Sequence, residues 1–141
     1  MSTDRPDAAR RLLLRAAAPG PDGLIVGIDP ASAGWDYTSC HVYRLKPGQT
    51  VDRPADDQER LVLVLEGHAA VRAGDHDFGV VGSRTSVFDG PAAPVILLEP
   101  GLPVDIAAET DALVVVAGAP GGPVRRTAHV PAEDILVETR G

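Results

Sequence analysis

From Tyr37 onward, short apolar runs bounded by Gly, Pro and charged residues recur every eight to twelve positions. Runs of that length and spacing predict strands joined by tight turns rather than helices. The alternation places strands at about Tyr37–Leu45, Thr50–Arg53, Leu61–Leu65, Ala69–Arg72, Asp77–Val81, Ser86–Phe88, Val95–Leu98, Val104–Ala108, Leu113–Ala117, Arg125–His129 and Ile135–Glu138. Between Val71 and Phe78, Ala73-Gly74-Asp75-His76 reads as a hairpin tip, because Gly accepts the positive φ that tight turns demand. Pro47-Gly48, Pro100-Gly101 and Gly121-Gly122-Pro123 read as further turns, and Pro131-Ala132-Glu133-Asp134 as a single helical turn opened by Pro. Helix is otherwise confined to Asp7–Ala18, where Asp7 can cap a run of Ala, Arg and Leu; helix, strand and disordered arm all stay open for it. Pro19-Gly20-Pro21-Asp22-Gly23 separates that stretch from the rest. The expected division is therefore an arm and linker over 1–23 and one folded domain over 24–141.

One local pattern narrows the choice among sandwiches and barrels. Gly48 is followed after five residues by Pro54, then by Asp56, after three more by Arg60, and after six more by Gly67. This frame resembles the first motif of cupin barrels, in which His-x-His and Glu stand where Pro54, Asp56 and Arg60 stand here. The segment Glu99-Pro100-Gly101-Leu102-Pro103-Val104 resembles the turn of the second cupin motif, with Val104 at its histidine place. The resemblance implies an all-β fold, a single cupin-type β-barrel or jelly roll (double-stranded β-helix), with an N-terminal arm.

The frame lacks its ligands. A divalent transition metal in such a barrel wants neutral imidazoles and a carboxylate. Pro54 and Val104 have no side-chain lone pair, and Arg60 carries a charge that does not titrate near neutral pH. No metal and no cofactor are expected. Two readings of the remaining pair stay open: Asp56 and Arg60 form an ion pair that plugs the vestigial pocket and touches a substrate, or they belong to a solvated loop of mixed charge. His41, His68, His76 and His129 lie on separate elements, with His41 alternating with Tyr37 and Tyr43 on one strand face, so no histidine cluster is expected. No Gly-x-Ser-x-Gly elbow and no phosphate-binding glycine loop occurs, and no catalytic residue is nominated.

Composition removes other classes. With 141 residues and 44% hydrophobic content, the chain has the size and apolar share of one domain with one core. A net charge of −7 opposes a polyphosphate backbone, and Arg125-Arg126 is the only late basic pair, so nucleic acid is excluded as a partner. No apolar run is long enough for a membrane helix, and Leu12-Leu13-Leu14 is too short for a secretory signal, which leaves a cytoplasmic address as the expectation. The single Cys40 cannot form an internal disulfide and reads as packing.

From Pro30 to Gly141 the resemblance becomes specific. Ser32-Ala33-Gly34-Trp35-Asp36-Tyr37, Val42-Tyr43-Arg44-Leu45-Lys46-Pro47-Gly48, Gly82 through Gly90, and Ala108-Glu109-Thr110-Asp111-Ala112 together resemble the first half of bacterial 5-deoxy-glucuronate isomerases of inositol catabolism. That resemblance implies a two-cupin isomerase converting an aldose acid to its ketose form, with the metal-binding His and Glu set in a second cupin that these residues do not include. The chain is then expected to be a metal-free N-terminal module of such an enzyme, or a short homologue, inactive alone. The alternative is a self-sufficient metal-free cupin that binds a small sugar acid. Expected partners are a second cupin domain or a second copy, as a homo-oligomer and in the first instance a dimer.

Overall fold

A computed structural model describes residues 13–123 and 125–141, and the part of the Asp7–Ala18 stretch before residue 13 lies outside them. Ten strands and one short helix follow in chain order: β1 (Leu24–Ile28), α1 (Pro30–Ala33), β2 (Ser39–Leu45), β3 (Thr50–Arg53), β4 (Gln58–Glu66), β5 (Ala69–Ala73), β6 (His76–Val81), β7 (Val95–Leu98), β8 (Val104–Ala108), β9 (Ala112–Pro120) and β10 (Ala128–Val130), with a 3₁₀ turn at Ala132–Asp134. All strand pairs are antiparallel. They form a six-stranded sheet in the order β1-β2-β9-β4-β7-β10 and a four-stranded sheet in the order β3-β8-β5-β6.

The two sheets face each other across one core. Because side chains alternate along a strand, the inward parity of each strand is apolar: Val62 and Val64 on β4, Val114 and Val116 on β9, Val71 on β5, Ile106 on β8, Ile96 and Leu98 on β7. Tyr43 is the one aromatic ring in this buried set, which is otherwise Val, Leu, Ile and Ala. Phe78 closes the side where the sheets' edges meet, stacking on His76 and meeting His129 edge-on, each with ring centroids 6.0 Å apart.

Several expectations change here. Leu24–Ile28 was read only as the start of the folded domain, yet it pairs with β2 as an edge strand; its signal was a β-branched run ended by Asp29-Pro30. That same dipeptide opens α1, where the Asp29 carboxylate accepts from the Ser32 amide at 2.7 Å and Ser32 Oγ accepts from the Asp29 amide at 3.0 Å. Leu13–Ala18 is neither helix nor strand, although the Ala17 amide donates to the Ile25 carbonyl at 2.9 Å. Ser86–Phe88 is a turn and not a strand. Its loop is held from below by Arg84 donating to the Leu65 carbonyl and by Glu66 accepting from the Val87 amide, leaving Phe88 93% exposed. Ile135–Glu138 forms no strand, since its apolar side chains Leu136 and Val137 are exposed and pair with nothing. Tyr37 precedes β2 and is exposed, so it does not share the face of His41 and Tyr43.

The motif glycines do different work. Gly48 (φ +86°) turns in open space, whereas Gly67 (φ +77°) lies against the Asp111 carbonyl and the Thr110 hydroxyl, where a Cβ would collide. Gly48→Ala is therefore expected to cost about 1–2 kcal/mol, the strain of a left-handed backbone. Gly67→Ala should cost more, about 3 kcal/mol or above, because strain and overlap add. Urea unfolding of the two variants checks this; equal losses would mean that the packing at Gly67 gives way freely.

Candidate functional site

The barrel has one polar end, and β4 explains it. Its inward residues run Gln58, Arg60, Val62, Val64, so the strand starts polar and ends apolar. β2 does the same with Ser39, His41, Tyr43 and Leu45. Through β9, Ser39 lies level with Gly118 and Arg60, and His41 lies level with Val116 and Val62. Gly118 leaves the space in which Ser39 Oγ meets Gln58 Oε1 at 3.2 Å; a Cβ there would fall 2.5 Å from that oxygen.

Arg60 is only 3% exposed. Its guanidinium donates to the Pro54 carbonyl at 2.8 Å and the Leu102 carbonyl at 3.3 Å, and Nη2 meets Asp56 Oδ2 at 2.7 Å. Asp56 is held in turn: its other oxygen accepts from the Gln58 amide at 3.0 Å, and its backbone carbonyl accepts from the Gly101 amide at 2.8 Å. Three of the four cupin-motif positions, Pro54, Asp56 and Arg60, are thus brought together by direct bonds. Val104, the fourth, is fully buried at the start of β8 and pairs across the ladder with Arg53. Of the two readings left open for Asp56 and Arg60, the ion pair is the one the fold adopts.

These residues do not fit a metal. The guanidinium fills the centre of the position set, the Asp56 carboxylate is turned onto it, and a second cation beside Arg60 would meet repulsion with no histidine to compensate. Among the described residues, no three His, Cys, Asp or Glu side chains stand in ligating range of one another. The histidines do not cluster as ligands, although His76 and His129 do share Phe78 between them. Asp77, beside His76, is committed to Arg72 at 2.9 Å.

Three residues of this end were not singled out as site residues from the sequence. Arg53, on the inward parity of β3, donates from Nη1 to the Tyr43 hydroxyl at 3.1 Å. His41 Nδ1 is buried without a partner, and burial first, then the nearby Arg53 charge, hold its pKa below the ordinary imidazole value; Asp29 opposes them, and Arg60 adds the smallest lowering effect. Their signal was parity: Val51 and Arg53, like His41 and Tyr43, alternate inward. Together Tyr43, Thr50, Asp52, Arg53, Asp56 and Arg60 wall a cleft of about 500 Å³ at the barrel mouth, with Asp22 at its edge.

A barrel of two antiparallel sheets, closed on an aliphatic core and carrying the cupin motif frame at its polar mouth, is a cupin. The KduI/IolB family matches residues 12–141, and the chain belongs to that family. It is 32% identical over 132 residues to a 5-deoxy-glucuronate isomerase of Geobacillus kaustophilus, covering 93% of this chain and 48% of that one. Among solved structures it is similar to an IolB-like protein of Salmonella typhimurium, with a TM-score of 0.82 and 31% identity over 92% of this chain and 49% of that one. An oxalate decarboxylase variant of Bacillus subtilis, 16% identical with a TM-score of 0.51, shares the fold alone over 70% of this chain and 25% of its own. The chain spans about half the length of the curated relatives it matches. No helix among the described residues is long and apolar enough to cross a membrane.

The lowered pKa of His41 has a measurable consequence. Below the ordinary imidazole value of 6.5 the unfolded chain takes up a proton that folded His41 resists, so stability is full above that pH and declines as pH falls toward the lower folded value. Asp29 and Asp77, lowered from 3.8, act only further down and do not overlap this window. Replacing His41→Gln should flatten the difference in urea midpoint between about pH 8 and about pH 5.5. A slope that survives the substitution unchanged would assign it to another group.

Proposed function

We propose that the chain serves as the metal-free N-terminal cupin module of a 5-deoxy-glucuronate isomerase-type protein, contributing barrel architecture and pocket wall to aldose–ketose isomerisation in inositol catabolism. The metal-dependent step then belongs to a second cupin that carries the His and Glu set. The observation that carries this reading is Arg60: a fully enclosed guanidinium, matched by three acceptors, stands where the motif places a ligand. Asp56 and Arg60 shape the wall of the pocket in this reading and touch substrate only at its edge.

The outer face of the six-stranded sheet supports the partner this reading needs. Two rows of half-buried side chains cross it, Ile28, Cys40, Ala117, Leu61, Leu97 and Ala128 in one and Val26, Val42, Val115, Leu63 and Val95 in the other, with the more exposed Val130 ending the second. A solvated antiparallel face alternates to polar, and this one does not. Burial also pushes the Cys40 thiol up, consistent with a packing role within the first row. A second cupin barrel, or a second copy of this one in a symmetric dimer, covers these rows in the cytoplasmic protein. A stand-alone metal-free cupin that binds a small sugar acid is the second reading, favoured by a mouth cleft built wholly from this chain.

Purified without chelator, the chain should hold less than one equivalent of Zn, Mn, Fe or Ni after dialysis and should not isomerise 5-deoxy-glucuronate alone. Turnover should appear when a His- and Glu-bearing cupin of the family is supplied. Sedimentation should show association that Leu63→Glu abolishes without unfolding the barrel. Stoichiometric metal, or turnover by the chain alone, would overturn the module reading; a monomer at high concentration that also ignores the second cupin would favour the stand-alone one.

A further inference from the structure

The loop between β6 and β7 uses its hydrogen bonds to hold one exposed ring. Ser83 Oγ donates to the Ala92 carbonyl at 2.9 Å, the Arg84 guanidinium to the Leu65 and Pro91 carbonyls, and the Gly67 amide to the Arg84 carbonyl. The Val87 amide donates to Glu66 at 3.2 Å, and Glu66 meets Arg44 at 3.5 Å. Arg44 and Glu66 both stand level with Leu113, on the outward parity of the six-stranded sheet, so the loop is fastened to the end of that face away from the mouth. Phe88 follows, 93% exposed. An aromatic ring left in water on an anchored loop is pre-organised for contact, because little ordering remains to be done when a partner arrives.

The other end of the same face is hollow. Ala117, Gly118 and Ala119 on β9 are small, and with Leu61, Leu97 and Thr38 they wall a notch of about 170 Å³, the size of one large apolar side chain. Leu61 lies four residues before Leu65, about 13 Å along β4, so ring and notch both fall inside one interface of standard size. Between them runs the apolar row of Val42, Val115, Leu63 and Val95.

We infer that the chain forms a reciprocal dimer in which Phe88 of each copy enters the notch at Ala117–Ala119 of the other. The inference rests on the outer sheet face being a covered surface, and it commits that face to a second copy of this chain. A two-fold axis lying in the interface, perpendicular to β4, reverses each strand end to end and keeps it opposite its counterpart. Loop and notch both adjoin β4 and β7, so the ring of each copy comes over the notch of the other. The charges agree. Arg84 in the loop and Glu59 beside the notch have no ion-pair partner among the described residues, and the same rotation brings them to one end of the contact. Knob and hollow on one face of one chain are self-complementary, which selects a second copy over a partner of another sequence.

Sedimentation equilibrium of the whole chain is the test, with variants that alter outward side chains and leave the core alone. Phe88→Ala should weaken the dimer about a hundredfold, since each dimer loses two aromatic anchors worth about tenfold apiece, and should leave the melting temperature of the dilute monomer close to that of the natural chain. Ala117→Leu fills the notch and should weaken the dimer likewise; if it disturbs folding, Ala119→Leu fills the same notch from the neighbouring outward position. Mixing then decides. The notch-filled copy keeps its ring and the Phe88→Ala copy keeps its notch, so the mixture should form a heterodimer held by one contact, about tenfold tighter than either variant with itself. A natural chain that is monomeric at high micromolar concentration, a dimer that Phe88→Ala leaves intact, or a mixture no tighter than its components would overturn the inference. The module reading is decided separately, by metal content and by turnover with a second cupin, so either can fail while the other stands.

Discussion

A guanidinium taken out of water needs acceptors, and in this barrel the acceptors of the two terminal nitrogens of Arg60, which leave only its Nε without a partner, tie distant pieces of chain into one mouth. Its acceptors come from the loop between β3 and β4 and from the turn before β8, positions separated by more than forty residues along the sequence. Burying such a charge costs several kcal/mol, which the Asp56 carboxylate and two carbonyls offset without leaving much net stability. What the pair fixes is shape. With Asp56 held by Arg60, the Asp56 carbonyl receives Gly101 and the neighbouring Asp57 carbonyl receives Gly121, so the loops that rim the barrel are joined through one carboxylate and its backbone.

Along β4 and β9 the same residues serve two faces. Inward, Val62, Val64, Val114 and Val116 fill the core; outward, Leu61, Leu63, Val115 and Ala117 continue the apolar surface onto the far side of the sheet. Strands that read as unbroken apolar runs, such as Leu61–Leu65 and Leu113–Ala117, are those that turn apolar side chains to both faces of the sheet. In the four-stranded sheet the pattern differs. β3 and β8 alternate in the ordinary way, with Thr50, Asp52 and Asp105 turned to solvent. The outer faces of the two sheets therefore differ, one alternating to polar residues and the other apolar across its strands.

The residue order alone carried the strand-rich class, the hairpin and turn sites, and the Gly48-to-Gly67 frame with its altered positions. Strands β3, β7 and β8 stand where alternation put them, because each is a short run bounded by turn residues whose backbone preferences are local. Ser86–Phe88 shows the limit: its alternation is as good as that of β3, but its loop is held by Arg84 and Glu66 and pairs with no strand, and pairing is a property of the fold. The same holds at the site. Pro54, Asp56 and Arg60 could be picked from their spacing, whereas whether Arg60 met water or Asp56 depended on how far β4 enters the barrel. Arg53, Tyr43 and His41 became one group only when two sheets faced each other. Sequence by itself determined which residues point inward, since that parity follows from the geometry of a single strand. Only the tertiary structure decided which inward residues meet, because antiparallel register and sheet-on-sheet packing bring together side chains that no local rule connects.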